Sequence, residues 1–414
     1  MIRTYLQKVA GFSPASRAFL IALFFQFTGQ TTLWVLRNLY LKKAGFDEEF
    51  IGTALAASSA GAALSILLLA REMDRRRLKG FMLADSLLIS IGLAGVALIP
   101  EPVPILILSV VTGLGMGISQ MCMPLFFVRH SSDEERAYLF GVGQALHPLA
   151  GLAMTLGIKG GALAWGETLE ATRHMMLIGS AMPLAAFFAL LRIRESPPEP
   201  PAPAEAPEPP LDWNLGLKFA ATELAIGIGS GLTIPFINLY FYNRFSVEPG
   251  DVSLFYAAAE AIMFVGFLST PLFAIRYGAV RTIVLFQIGS IPFFLLMAFT
   301  TSLPLAVAAF LARQAMMNMV QPVSDHFLME AADPRQRARI NGLKQMCRRG
   351  SWVIAPAASG YLIARAGFVV DGFTTVMLIT IGLYLASAAM YWGFFRSHRT
   401  VRAPARESEP SVRL

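Results

Sequence analysis

Polar side chains fall at helical spacing inside otherwise apolar stretches of this 414-residue sequence. Gln26, Gln30 and Arg37 share one helix face, because offsets of four and eleven residues return to nearly the same angle. Ser109, Thr112, Gly113, Met116 and Gln120 form a second row. Glu223, Gly227, Ser230, Ile234 and Asn238 form a third, and Gln314, Asn318, Gln321 and Asp325 a fourth. Amides and hydroxyls can hydrogen-bond a small polar solute, and a carboxylate shielded from water can take up a proton in one conformation and release it in another. Such groups are costly in lipid: a charge at the bilayer centre costs about 2.5–3.5 kcal/mol even on the lenient insertion scale. Where they line up, they are expected to border a shared watery passage. The alternative is hydrogen bonding between helices with no solute, and small residues such as Gly227 also permit close packing.

Single ionisable groups add roles. Glu223 counts from the inner side of its span, has no obvious cationic partner in sequence, and is expected to couple transport to protons, with His147 and Asp325 as further proton carriers. His147 can titrate near neutral pH; alternatively it bonds a carbonyl freed by Pro148. Glu260 and Arg313 each lie about nine residues inside their spans, roughly 13 Å deep, and are expected to pair, as a structural or a functional ion pair. Lys344, Arg348 and Arg349 enter the eleventh span together, either as a cytoplasmic anchor or as an attraction for an anionic substrate or lipid headgroup. The sequence has no Walker loop, no zinc spacing among its five histidines and two cysteines, and no Gly-x-Ser-x-Gly elbow. Neither an enzyme nor a cofactor or metal is expected.

The elements that must position these residues are membrane helices. Hydrophobic residues make up 55% of the chain and charged residues 15%, against about 25% charged in a soluble domain. Twelve apolar stretches are long enough to cross about 30 Å of hydrocarbon: 17–40, 47–70, 78–99, 104–128, 137–158, 173–193, 213–242, 250–273, 279–300, 304–328, 338–364 and 372–396. The stretches at 137–158 and 338–364 are interrupted by polar groups. A net charge of +7 does not point to nucleic acid, because the bases gather in short alternate loops: Arg71 to Lys79, Arg335 to Arg339, and the tail after Arg396. That bias places both termini and the central loop in the cytoplasm. Met1 to Arg17 holds no small-residue cleavage site, so the first span is expected to be its own insertion signal.

The proline-rich run Pro197–Pro210 cannot form a membrane helix and splits the spans six and six. Residues 1–194 are expected to form one bundle, 195–212 a linker, 213–400 a second bundle, and 401–414 a tail. The halves repeat. Asn38–Leu39–Tyr40 recurs as Asn238–Leu239–Tyr240, Pro104 as Pro304, and Arg136–Ala137, Gly141 and Gln144 as Arg337–Ala338, Gly342 and Gln345. With six spans per half the repeat is parallel, about an axis normal to the membrane.

Twelve spans, a 6+6 parallel repeat and a central linker resemble the major facilitator superfamily over essentially the whole chain. The loop Arg71–Lys79 keeps the Asp-Arg and basic run of that family's loop motif, at Asp74 and Arg75, without its glycines. Span five carries Gly143-x-x-x-His147–Pro148-x-x-Gly151, similar to the antiporter motif of family drug exporters with histidine for one glycine. The resemblance implies an all-α membrane protein of two pseudo-symmetric six-helix bundles, with spans one, four, seven and ten lining a central cavity. It implies substrate contacts from Gln26, Gln30, Arg37, Gln120, Asn238, Gln314, Asn318 and Gln321, and gating by Asp74, Arg75, Pro148 and Gly151. The expected function is proton-coupled export of an amphipathic compound by alternating access, toward which Met116, Met121, Met123, Met316, Met317 and Met319 lean. The alternatives are proton-coupled import of a polar solute such as a sugar, nucleoside or organic anion, and a non-transporting membrane sensor of the same fold. Expected partners are the solute, protons or another ion, and lipids, for a monomer in the plasma membrane (the inner membrane of a bacterium).

Overall fold

The computed structural model describes residues 11–131, 133–195, 210–333, 335–365 and 371–396, with side chains at 71, 74, 75, 133, 134, 136, 137, 265, 267–272, 275 and 338 left aside. Most of the proline-rich linker and the tail therefore lie outside the described residues, as do the side chains of Asp74 and Arg75. Among the described residues the chain is helical throughout, without strands. The helices are α1 (Pro14–Val35), α2 (Arg37–Lys43), α3 (Glu48–Arg75), α4 (Leu78–Leu98), α5 (Pro102–Arg129), α6 (Asp133–Trp165) and α7 (Leu169–Leu191) in the first half. The second half supplies α8 (Trp213–Thr233), α9 (Ile237–Phe245), α10 (Pro249–Tyr277), α11 (Ala279–Phe299), α12 (Leu303–Ala331), α13 (Arg337–Arg365) and α14 (Gly372–Phe395).

Pairing α1 with α2 and α8 with α9 gives twelve spans, as the hydropathy pattern predicts. Ten of them, among the described residues, are long and apolar enough to cross a membrane. The polar interruptions leave α13 outside that set, whereas the stretch within α6 qualifies. Local chemistry sets several helix starts. Ser13 accepts from the Ser16 amide at 3.1 Å ahead of Pro14, and Asp47 accepts from the Phe50 amide at 2.8 Å. Thr168 caps α7 through the Ala171 amide at 3.1 Å. These side chains satisfy donors that a helix leaves open at its N-terminus.

The chain gathers into two compact units that do not follow the halves of the sequence. The first comprises Met1–Glu205, Ser230–Phe264 and Arg349–Met377, and the second Ala206–Gly229, Val265–Arg348 and Leu378–Leu414.

In the first unit α5 is clasped between α3 and α4 through glycines. A Cβ on Gly113 would collide with the Ser58 carbonyl of α3, and one on Gly117 with Ser65 and the Ala62 carbonyl. Thr112 occupies the space a side chain at Gly92 of α4 would need. Lipid tails offer no hydrophobic drive between helices, so close backbone approach supplies the packing energy. Ser109, Thr112 and Gly113, expected on a cavity face, are thus buried in this helix seam, with the Thr112 hydroxyl bonded to the Leu108 carbonyl at 2.8 Å. Gln120, two turns beyond Gly113, is exposed.

The end of this unit remote from the chain's N-terminus is sealed by a reciprocal contact. Asn38 Nδ2 donates to the Pro235 carbonyl at 2.6 Å, and Asn238 Nδ2 donates to the Val35 carbonyl at 3.1 Å. Each asparagine reaches the residue three places before its counterpart, and the two side chains meet at 3.5 Å. The partner carbonyls lie where each first span breaks: at Leu36 between α1 and α2, and in the short 3₁₀ turn Ile234–Phe236, where Pro235 lacks an amide hydrogen. Asn238, expected to bind substrate, is therefore a fully buried seam residue.

Charged pairs ring the contact. Lys42 meets Glu48 at 2.6 Å, Lys43 meets Glu248 at 2.6 Å, Lys159 meets Asp251 at 2.6 Å and Arg244 meets Asp371 at 3.1 Å. Gly360 packs on the Glu48 carbonyl where no Cβ would fit. In the turn between α6 and α7, Glu167 accepts from the Gly250 amide at 3.2 Å. Burial pushes its carboxyl above the usual range, with Glu248 adding to the rise, while the Gly250 amide, Lys43 and Lys159 oppose it.

Two outcomes follow from this packing. Gly113→Val should prevent accumulation of folded protein in the membrane, whereas Gly157→Ala, with open space around it, should leave it unchanged; fluorescence-detected size exclusion reads both. Because the Glu167 carboxyl holds its proton more tightly in the sealed contact than in free solution, acid should favour the seal and alkali should loosen it. Spin-label distances across the seam at acidic and alkaline pH should show this shift, and Glu167→Gln should remove it.

Candidate functional site

In the second unit four helices bring charged side chains to one place. Glu223 comes from α8, Ser324 and Asp325 from α12, Lys344 and Arg348 from α13, and Tyr391 from α14. Lys344 Nζ lies 2.7 Å from Asp325 Oδ1, 2.8 Å from Ser324 Oγ and 3.4 Å from Glu223 Oε1. Ser324 Oγ also stands 3.4 Å from Glu223 and 3.0 Å from the Tyr391 hydroxyl. Arg348 faces the other Glu223 oxygen at 3.7 Å. The lysine side chain is 1% exposed and Glu223 8%, whereas Asp325 is 40% and Arg348 33% exposed. The cluster thus grades from a dry interior pair to a wetter rim.

Two acids and two bases cancel formally, so the cluster can stay ionised as a whole. The Tyr391 ring anchors its floor against Phe219, Phe327 and Phe395, at centroid distances of 6.3, 6.3 and 5.1 Å. An ammonium shared by two carboxylates can do one thing a simple pair cannot. When one acid takes a proton, the other still holds the cation, so the group changes net charge without leaving Lys344 unpaired. Glu223, expected to lack a cationic partner, has two, and Lys344 is a buried member of the centre where an anchor at the membrane surface was one of its expected roles. The partner was missed because it arrives from α13, about 120 residues along the chain; its signal was the Lys344–Arg348 pair at one-turn spacing inside an apolar segment.

The amide row of α12 rises from this cluster. Gln321 Nε2 donates to Asp325 Oδ2 at 3.2 Å, and Asn318 Nδ2 donates to the Gln314 carbonyl at 3.0 Å. Gln314, Asn318, Gln321 and Asp325 are all half-buried, consistent with a face that meets a passage. Gln314 is also tied to its neighbour, accepting from Arg313 at 2.8 Å. Arg313 is buried, donates to the Tyr384 hydroxyl at 3.1 Å and lies 4.8 Å over the Phe294 ring. These groups engage its charge, its side chain turning toward α11 and α14.

Residues expected to act lie elsewhere in the first unit. Glu260 of α10 sets its carboxyl against Gly151 of α6, where a Cβ would come within 2.9 Å of Cδ, and its Oε2 has no hydrogen-bond partner among the described residues. Gly151 is thus a seat for an acid inside the span-five motif. His147 packs edge-on against Phe27 with centroids 5.0 Å apart, and Pro148 is buried within α6. Gln30 is half-buried and Arg37 buried. Gln26, expected on the passage, turns inward between α1, α4, α5 and α7 beside Asp85 of α4, a buried acid in a span that is otherwise plain hydrocarbon.

The sequence pattern of the Major Facilitator Superfamily matches residues 19–225 and again 219–413. No curated protein matches the chain at the sequence level. Among solved structures, it is similar to the nucleoside transporter NupG, at 15% identity and TM-score 0.71 over 92% of this chain and 99% of that one. It is similar also to a D-xylose-proton symporter, at 14% identity and TM-score 0.72 over 92% and 97% of the two chains. A bacterial homologue of the human lysosomal transporter Spinster, inward-facing and occupied, aligns at 16% identity and TM-score 0.71 over 95% and 99%. With both halves matched by one family pattern and the helical fold shared along nearly the whole length, this multi-pass membrane protein belongs to the major facilitator superfamily, a transporter family.

Proposed function

We propose that the chain is a proton-coupled secondary transporter of a small polar solute, with Glu223, Lys344 and Asp325 as its coupling centre. The observation that carries this reading is the sharing of one buried ammonium between a dry and a half-exposed carboxylate. Asp325, at the wetter rim, can exchange a proton with water, while Glu223 keeps Lys344 paired during the exchange. The amides of Gln314, Asn318 and Gln321 rise along the same helix face and offer donors and acceptors to a hydroxylated or amide-bearing solute. Alternating access would then require the seam around Asn38 and Asn238 to part in the opposite conformation.

Export of an amphipathic compound is the second reading, and the motif around Pro148 favours it. The methionines that leaned the same way give it less support. Met121 and Met123 pack on the apolar core of the first unit, and Met316, Met317 and Met319 on that of the second. The basic loops support cytoplasmic termini and residence in a plasma membrane, the inner one in a bacterium. The likenesses to a nucleoside transporter and a D-xylose-proton symporter agree with a polar solute.

In proteoliposomes, Glu223→Gln should abolish solute accumulation driven by a pH gradient while sparing solute exchange at equal pH. Accumulation unchanged in this variant would remove Glu223 from coupling. Stability offers a second check. Lys344→Met strands two carboxylates and should cost roughly 3–5 kcal/mol, read as a fall in the thermal midpoint in detergent. Adding Glu223→Gln to that variant should recover much of the loss.

A further inference from the structure

A small cavity of about 20 Å³ lies between α1, α4, α5 and α7, with no basic side chain on its wall. Its polar lining is Gln26 of α1, Asp85 and Ser86 of α4, and Ser119 of α5; the rest is apolar apart from the Cys122 thiol. Asp85 is 4% exposed and accepts from the Ser86 hydroxyl at 3.1 Å and from Ser119. Gln26 is 3% exposed, and neither Oε1 nor Nε2 has a hydrogen-bond partner among the described residues.

Both features ask for an occupant. A buried amide with neither end satisfied costs about 1–3 kcal/mol per group, and a buried carboxylate without a counter-charge costs more. The cavity admits one water-sized body, since a single water needs about 10–15 Å³ of such space. Its donors are hard oxygens from one carboxylate, one amide and two hydroxyls, which suit a proton or an alkali ion rather than a transition metal. One carboxylate balances one positive charge. Among the described residues no group of three or more His, Cys, Asp or Glu side chains gathers that could hold a metal ion. Of the elements packed on Asp85, α5 brings Cys122 with Arg129 farther along, Glu195 follows α7, and α1 brings no charge to the cavity wall.

We infer that Asp85 and Gln26 form an internal site for one monovalent cation, H⁺ or Na⁺, between α1, α4, α5 and α7. Occupancy neutralises Asp85 and gives Gln26 a partner, either the ion itself or a water beside the protonated acid. The site ties α1, α4 and α5 together at a point where the helices otherwise meet through apolar contacts. It rests on no assumption about Glu223.

Thermal unfolding of the purified full-length protein in detergent tests it. Wild type is followed with rising NaCl against choline chloride at fixed pH, and with falling pH in sodium-free buffer. Asp85→Asn and Gln26→Leu are followed alongside. A saturable rise in the midpoint with NaCl that both variants lose identifies Na⁺. A rise with acid, without a sodium response, that Asp85→Asn reduces and Gln26→Leu retains identifies the proton. Should Asp85→Asn fail to fold, Gln26→Leu still decides the sodium arm, and Asp85→Glu, which keeps the acid, decides the proton arm by shifting the pH response. A wild type indifferent to both cations, or responses unchanged in every variant, would overturn the site.

Discussion

A lysine ammonium almost wholly withdrawn from solvent is tolerable in a membrane bundle only because opposite charges come to it from separate helices. Lys344 is held by Asp325 on one helix and Glu223 on another and donates also to Ser324, whose hydroxyl meets that of Tyr391. The desolvation of the three charges is offset only while they stay together. That requirement fixes the relative rotation of α8, α12 and α13, since each must turn its charged side chain to the same point. The amide row of α12 is carried along by this rotation, so the polar face and the ionic centre share one cause.

The internal repeat finds its physical meaning in the first unit. Two copies of Asn-Leu-Tyr sit just past a break in their spans, and each asparagine satisfies a carbonyl released at the other's break. The symmetry in sequence is thus a symmetry of hydrogen-bond supply and demand. It differs from the ionic centre, which the first half does not repeat: at the 200-residue offset that pairs Asn38 with Asn238, Leu23 stands where the second half has Glu223. Duplication kept the seam and let the interiors diverge.

Sequence patterning disclosed the twelve spans and the polar row of α12, because hydropathy and helical period are local properties. It does not reveal the surroundings of residues whose fate depends on which neighbour they meet. Asn238 and Gln314 have the same side-chain chemistry at similar spacing, yet one closes a seam and the other lies half-open beside Arg313. Ser109, Thr112 and Gly113 read equally well as a wet face or as a glycine-mediated packing stripe, and only the carbonyl of Ser58 decides between them. Glu223 looked solitary because its cationic partners, Lys344 and Arg348, lie more than 100 residues downstream. Asp85 escaped notice for a related reason: one acid in an apolar helix has no period to betray it.

The reciprocity of Asn38 and Asn238 also bears on how the protein is made. The two residues are separated by 200 positions, so at about 5–20 residues per second the ribosome needs roughly 10–40 s to deliver the second after the first. Throughout that interval Asn38 is already committed to the bilayer with its carboxamide unmatched. The hydrogen bonds of the seam can form only once the second copy of the motif has emerged.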